Sequence, residues 1–68
     1  MYEINKYGKI VVDSKEVYYG CVLKIDQEIS IAELLVKDWR DINDEQISFT
    51  KMIVPLSKFT IKYLELGE

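Results

Sequence analysis

The segment from Ser30 to Ile42 has the clearest hydrophobic pattern in the chain. Ser30 and Glu33 have the spacing of a capping box, in which each side chain accepts the other residue's backbone N–H. A strand is the weaker interpretation, because Glu33 and Lys37 would then share a face with apolar residues. The pattern therefore predicts an amphipathic helix near residues 31–42. At about 100° per residue, its apolar face consists of Ile31, Leu35, Trp39 and Ile42, with Ala32 and Val36 beside them.

Alternating apolar and polar positions predict strands on both sides of this helix. Before it, residues 17–25 place Cys21 and Ile25 on one face, residues 9–12 form a shorter strand, and residues 13–16 have the composition of a hairpin turn. Residues 2–4 are predicted as a further edge strand. After the helix, residues 46–54 alternate until Lys51 falls in phase with apolar neighbours, which indicates a strand leaving the core or a bulge. Pro55 interrupts the ladder, and residues 58–64 alternate again.

These elements predict an α+β fold, a small antiparallel sheet of about four strands in ββαββ order with one helix packed on it. The stretches 18–26 and 53–65 also resemble strands of small Sm-like or SH3-like barrels, which have a glycine in a bent strand (here Gly20) and a short turn before the last strand. That resemblance implies an alternative fold, a small β-barrel in which residues 28–40 are extended, and single-stranded nucleic acid as its ligand. The helix of the Sm pattern comes first, and its asparagine-bearing RNA loop has no counterpart after Asp26, so no binding residues are carried over.

Composition limits the chemistry that this chain can perform. The 68 residues predict one domain, residues 1–68. The single cysteine and the lack of histidine exclude an internal disulfide and a transition-metal site of His and Cys ligands. No apolar run reaches the roughly 18 residues of a membrane span, and the first residues do not read as a signal peptide. We therefore expect a cytoplasmic protein, of a prokaryote or of a virus-infected host cell.

Cys21 is the only strong nucleophile type in the chain. It lies in phase with the apolar residues of its strand, and no histidine can activate it, so we expect a buried packing residue. No nucleophile, base and orienting residue form a recognisable set, and no nucleotide or cofactor motif occurs. The sequence therefore predicts a non-enzymatic protein with no cofactor and no metal.

The acidic residues are concentrated in the middle of the chain. The net charge is −3, but residues 26–45 contain seven acids against two bases, a net of −5. This distribution argues against binding to a phosphate backbone, and the five tyrosines exceed what a small core can hold. We therefore predict a protein-interaction module with a protein partner, a homodimer being compatible, and no membrane. In its size and acidic middle the chain is similar to phage-encoded inhibitors such as anti-CRISPR proteins. The predicted binding residues are Glu33, Asp38, Asp41, Asp44 and Tyr18.

Overall fold

The computed structural model, which describes residues 2–64, is an antiparallel sheet of five strands in the order β4-β3-β2-β1-β5. Two short 3-10 turns, Trp39–Asp41 and Leu56–Lys58, are the only helical elements between residues 2 and 64. The predicted α+β class, its ββαββ order and its helix near residues 31–42 are therefore wrong. The strands are β1 (Gly8–Val12), β2 (Glu16–Asp26), β3 (Ile31–Asp38), β4 (Thr50–Pro55) and β5 (Phe59–Tyr63).

The sheet curls until its two edges approach each other. β4 and β5 lie at opposite edges, yet only the three-residue turn Leu56–Lys58 joins them. Gly8 and Gly20 are partners in the β1–β2 register. A Cβ on Gly20 would lie 2.8 Å from the Val36 Cα, and one on Gly8 would lie 2.8 Å from the Tyr63 Cα, so glycine permits this close approach. The small-barrel alternative is thus nearer to the observed fold than the α+β prediction.

The predicted helix is the strand β3, whose inner face is buried and whose outer face is mostly half-buried. Ala32, Leu34 and Val36 point into the core, whereas Glu33 and Lys37 lie on the opposite face. These two charged residues are the ones that had argued against a strand. Glu33 lies 3.5 Å from a lysine of β4, and the Lys37 ammonium donates to backbone carbonyls. Because Ile31 and Leu35 share the outer face with these charged residues, β3 shows no simple alternation of apolar and polar residues.

One core, here called the main core, fills the inside of the curled sheet. The N-terminal segment covers it: the Tyr2 ring stacks on Phe59 at 5.2 Å, and the Glu3 N–H donates to the Tyr63 hydroxyl at 2.6 Å. The edge strand predicted over residues 2–4 is reduced to a single bridge at Ile4. The main core consists of Ile10, Val12, Val22, Ala32, Leu34, Val36, Val54 and Phe59.

A bulge in β2 reverses the orientation of its second half. The β2–β3 register shifts between Val22 and Lys24, and Leu23 has no partner in it. Ile25 consequently packs against the main core, although the predicted alternation had placed it on the same face as Cys21. Cys21 is buried as predicted, at 1% exposure, but it lies outside the main core.

The hairpin turn and the last two strands agree in part with the predicted elements. Asp13 and Ser14 have φ values of 54° and 61°, and the Lys15 N–H donates to the Val12 carbonyl at 3.2 Å, which confirms the turn over residues 13–16. β4 begins only at Thr50, so residues 46–49 are not in a strand. Strand β5 over residues 59–63 confirms the last predicted strand. In residues 2–64 no helix is long and apolar enough to cross a membrane.

Candidate binding groove

Four aromatic rings form a second cluster on the outer face of the sheet, opposite the main core. We call Tyr7, Tyr19, Trp39 and Phe49 the outer aromatic cluster. The Tyr19 ring lies 5.5 to 6.2 Å from the centroids of the other three rings. Burial raises the pKa of Tyr7, and the neighbouring Cys21 thiol adds to this rise. Aromatic rings therefore provide much of the packing on a face that would otherwise be solvated.

One lysine holds the chain over this cluster. Residues 39–49, here called the covering segment, connect β3 to β4 across the outer face. The Lys37 ammonium donates to the carbonyls of Asp44 at 3.1 Å and Ile47 at 3.3 Å, and it lies 5.0 Å from the Phe49 ring centroid. Lys37 is only 9% exposed, so its buried charge is satisfied by backbone oxygens and an aromatic face.

A groove of about 520 Å³ opens where β2 extends beyond β3. The β2–β3 register ends at the pair Tyr18 and Asp38, and Glu16 and Val17 pair with β1 alone. The chain then turns away from the sheet in the 3-10 turn Trp39–Asp41. The groove is lined by Lys9, Lys15, Glu16, Val17, Tyr18, Asp38, Trp39 and Arg40.

Asp38 and Arg40 fix the turn that carries Trp39. The Asp38 Oδ1 accepts from the Arg40 backbone N–H at 2.9 Å and from its Nε at 3.1 Å, and Oδ2 accepts from Nη2 at 3.0 Å. These hydrogen bonds from Arg40 lower the pKa of Asp38 to about 2. The two charges therefore neutralise each other, and both side chains are committed to the turn.

Trp39 is held on two sides but remains partly exposed to the groove. The Tyr19 ring packs at 64° to the indole with centroids 6.2 Å apart, and the Lys9 ammonium lies 5.3 Å from the indole centroid. Tyr18 also lines the groove and packs against the main core; its hydroxyl donates to Glu16 at 3.2 Å, and burial raises its pKa. The groove thus contains two oriented aromatic side chains beside a strand end.

The five predicted binding residues do not form one surface. Tyr18 and Asp38 lie together in the groove. Asp41 belongs to the 3-10 turn, and the Asp44 carboxylate accepts the backbone N–H of Gln46. Glu33 lies elsewhere on β3, 3.5 Å from the Lys51 ammonium.

Sequence reasoning missed six of the eight lining residues of the groove, among them Lys9, Lys15 and Trp39. Trp39 had been placed on the apolar face of a helix, although the Asp-x-Arg spacing of residues 38–40 allows a local side-chain cap. The two lysines carry no local signal, since only the register of β1 and β2 brings them to the groove.

Within residues 2–64 no three Cys, Asp or Glu side chains lie close enough together to hold a metal ion. No protein-family model, curated protein or solved structure matches this chain. Its function must therefore be argued from the groove itself.

Proposed function

We propose that this protein is a non-enzymatic protein-interaction module and that the groove is its contact site. The observation that carries the proposal is Trp39, an aromatic side chain fixed by Tyr19 and Lys9 yet partly exposed beside an unpaired strand end. Rigid aromatic side chains contribute contact area at low entropic cost, which is why they are enriched at protein interfaces.

The strand end suits an extended peptide in particular. Successive residues of a strand direct their N–H and C=O groups to alternate sides. One of the two residues Glu16 and Val17 therefore directs its backbone polar groups towards the side that β3 leaves open. A peptide that lies along this edge can extend the sheet through main-chain hydrogen bonds and place a side chain against Trp39.

This proposal retains the predicted protein partner but moves the contact away from the acidic residues. Asp38 is paired with Arg40, and Glu33 is paired with Lys51. Neither carboxylate is therefore an unpaired charge that could form the centre of an acidic binding surface. An inhibitor role of the phage type stays a prediction, for which the groove supplies a contact site. A cytoplasmic location also stays a prediction.

Single-stranded nucleic acid is the second candidate, as the barrel-like fold and two lysines beside an indole would suggest. Bases stack on aromatic side chains and phosphates bind lysines. The groove offers little charge for this purpose, because its three cations face two carboxylates within a chain of net charge −3. The strand edge that β3 leaves open can form a ladder of backbone hydrogen bonds with a peptide, which a nucleobase cannot form.

The test uses Trp39 as a reporter, because it is the only tryptophan in the chain. Peptides are first selected on the immobilised protein from a random library displayed on phage, and each selected peptide is then titrated while indole fluorescence is recorded. We expect saturable fluorescence changes, with backbone amide shifts in NMR spectra concentrated at residues 16–18 and 38–40.

A Thr60→Ala variant on the exposed side of β5 is the control and should bind equally well. Failure to select any peptide, or amide shifts confined to the β4–β5 side, would contradict the proposal. Saturable binding of oligothymidylate at low salt, with no peptide binding, would favour the second candidate.

A further inference from the structure

We infer that the groove selects a peptide in which an acidic side chain is next to an apolar one. This inference rests on the proposed function and adds the chemistry of the partner. It follows from which charges in the groove are already paired and which are not.

Three of the five charged groups in the groove, Lys9, Lys15 and Glu16, have no partner of opposite charge within the described residues, and two of these three are cations. Asp38 and Arg40 bind each other, and Glu16 accepts the Tyr18 hydroxyl. In the described part of the chain, the ion pairs join Lys6 to Glu3, Arg40 to Asp38, and Lys51 to Glu33. Neither Lys9 nor Lys15 has a carboxylate within ion-pair distance there.

The groove is also positive relative to the rest of the molecule. Its lining holds three cations and two carboxylates, a net of +1, so the remaining residues of the chain carry −4. The attraction between a ligand anion and a cation in a partly enclosed groove is screened less by salt than the same attraction on an open surface. An anionic group is therefore the ligand group that this groove favours and that the rest of the surface repels.

The position of Lys9 links the anionic group to an apolar one. Its ammonium lies 5.3 Å from the Trp39 ring centroid. A carboxylate that binds this ammonium must therefore lie close to the indole, so that the next apolar side chain of the ligand can contact the ring. Val17 adds a second apolar surface to the groove.

A peptide fits these features better than a polyphosphate chain. Two unpaired lysines release few counterions from a nucleic acid. By contrast, the open edge at Glu16 and Val17 offers backbone hydrogen bonds that only a polypeptide can match residue for residue. An acidic and apolar peptide segment of a partner protein is therefore the proposed occupant.

The test compares selections on three forms of the protein. The same random phage library is selected on the wild-type chain, on a Lys9→Glu/Lys15→Glu variant, and on a Lys24→Glu/Lys58→Glu variant. The last carries the same change in net charge away from the groove and serves as the matched control. All four lysines are exposed, so we expect both variants to fold, which circular dichroism checks.

We expect the wild type and the control to enrich Asp or Glu beside an apolar residue, and the groove variant to lose this enrichment. A wild-type-selected peptide should bind the groove variant about tenfold more weakly, since one exposed ion pair contributes up to a factor of about five. If Lys9→Glu/Lys15→Glu misfolds, the Lys9→Gln/Lys15→Gln variant should still weaken binding.

The possible failures are distinguishable. Peptides that bind at Trp39 but show no acidic preference would overturn this inference and leave the proposed function intact. Equal weakening in the groove variant and the control would also overturn it, because net charge alone would then explain the effect. No selected peptide at all would overturn both.

Discussion

The two faces of the sheet are packed by different means. The main core lies inside the curl, is aliphatic except for Phe59, and receives residues from all five strands. The outer aromatic cluster includes both ends of the covering segment, Trp39 and Phe49, and Lys37 holds the segment through its backbone carbonyls. Since nearly all of the buried apolar side chains belong to the main core, we expect the inner face to provide most of the stability of the fold. The outer face provides a partly exposed, mostly aromatic surface, and one of its rings, Trp39, lines the groove.

The largest expected effect tests the inner face. Leu34 is fully buried in the main core, whereas its neighbour Leu35 is half-buried on the outer face. We expect Leu34→Ala to lower the free energy of unfolding by about 3 kcal/mol, because it leaves a cavity in the main core. Leu35→Ala, the matched control, should cost about half as much. Urea denaturation measures both, and equal losses would show that the two faces contribute alike.

The next effect tests how the outer face is fastened. Replacement of Lys37 by Met removes two hydrogen bonds to the covering segment and leaves the carbonyls of Asp44 and Ile47 without this donor. We expect a loss of about 2 kcal/mol in the free energy of unfolding. Hydrogen-exchange protection at residues 42–49 should fall below its wild-type value, and by more than in the main core.

The exposed Lys62 supplies the control for this experiment. Lys62→Met should change the free energy of unfolding by no more than about 0.5 kcal/mol. Unchanged protection of residues 42–49 in Lys37→Met would mean that aromatic packing alone holds the covering segment.

The smallest effect concerns the turn beneath Trp39. The pKa of Asp38 is about 2 in the folded chain, below its ordinary value of 3.8. Since the folded pKa is the lower one, the Asp38–Arg40 interaction stabilises the fold above about pH 4, and this contribution is lost as the pH falls towards 2. NMR titration of the Asp38 carboxyl carbon should give a midpoint near 2.

A change of the partner should move that midpoint. In Arg40→Gln the Asp38 titration should return towards 3.8, because hydrogen bonds from Arg40 are the main cause of the low pKa. Lys58→Gln removes a distant positive charge and should leave the midpoint where it was. If the Asp38 midpoint did not change in Arg40→Gln, the Asp38–Arg40 pair would not be what fixes the turn that carries Trp39.

Sequence patterns predicted the parts of the fold that are solvated on one side. The hairpin turn at Asp13 and Ser14 and the strand β5 show local signals, and the structure confirms them. β3 was mistaken for a helix because its half-buried outer face also carries apolar residues, and the run of Leu34, Leu35 and Val36 hides the alternation. The groove was found only in part, at Tyr18 and Asp38, because strand pairing and not sequence proximity assembles it.

The bulge at Leu23 makes the two halves of β2 differ in phase. Gly20 and Val22 face inwards before it, and Ile25 faces inwards after it. Without Leu23, Val22 and Lys24 would be consecutive residues of a regular ladder opposite Leu34 and Glu33, so Lys24 would stay outside the curl and Ile25 inside it. Leu23 is therefore the position in β2 at which the loss of one residue would leave the other side chains of the strand on their present faces.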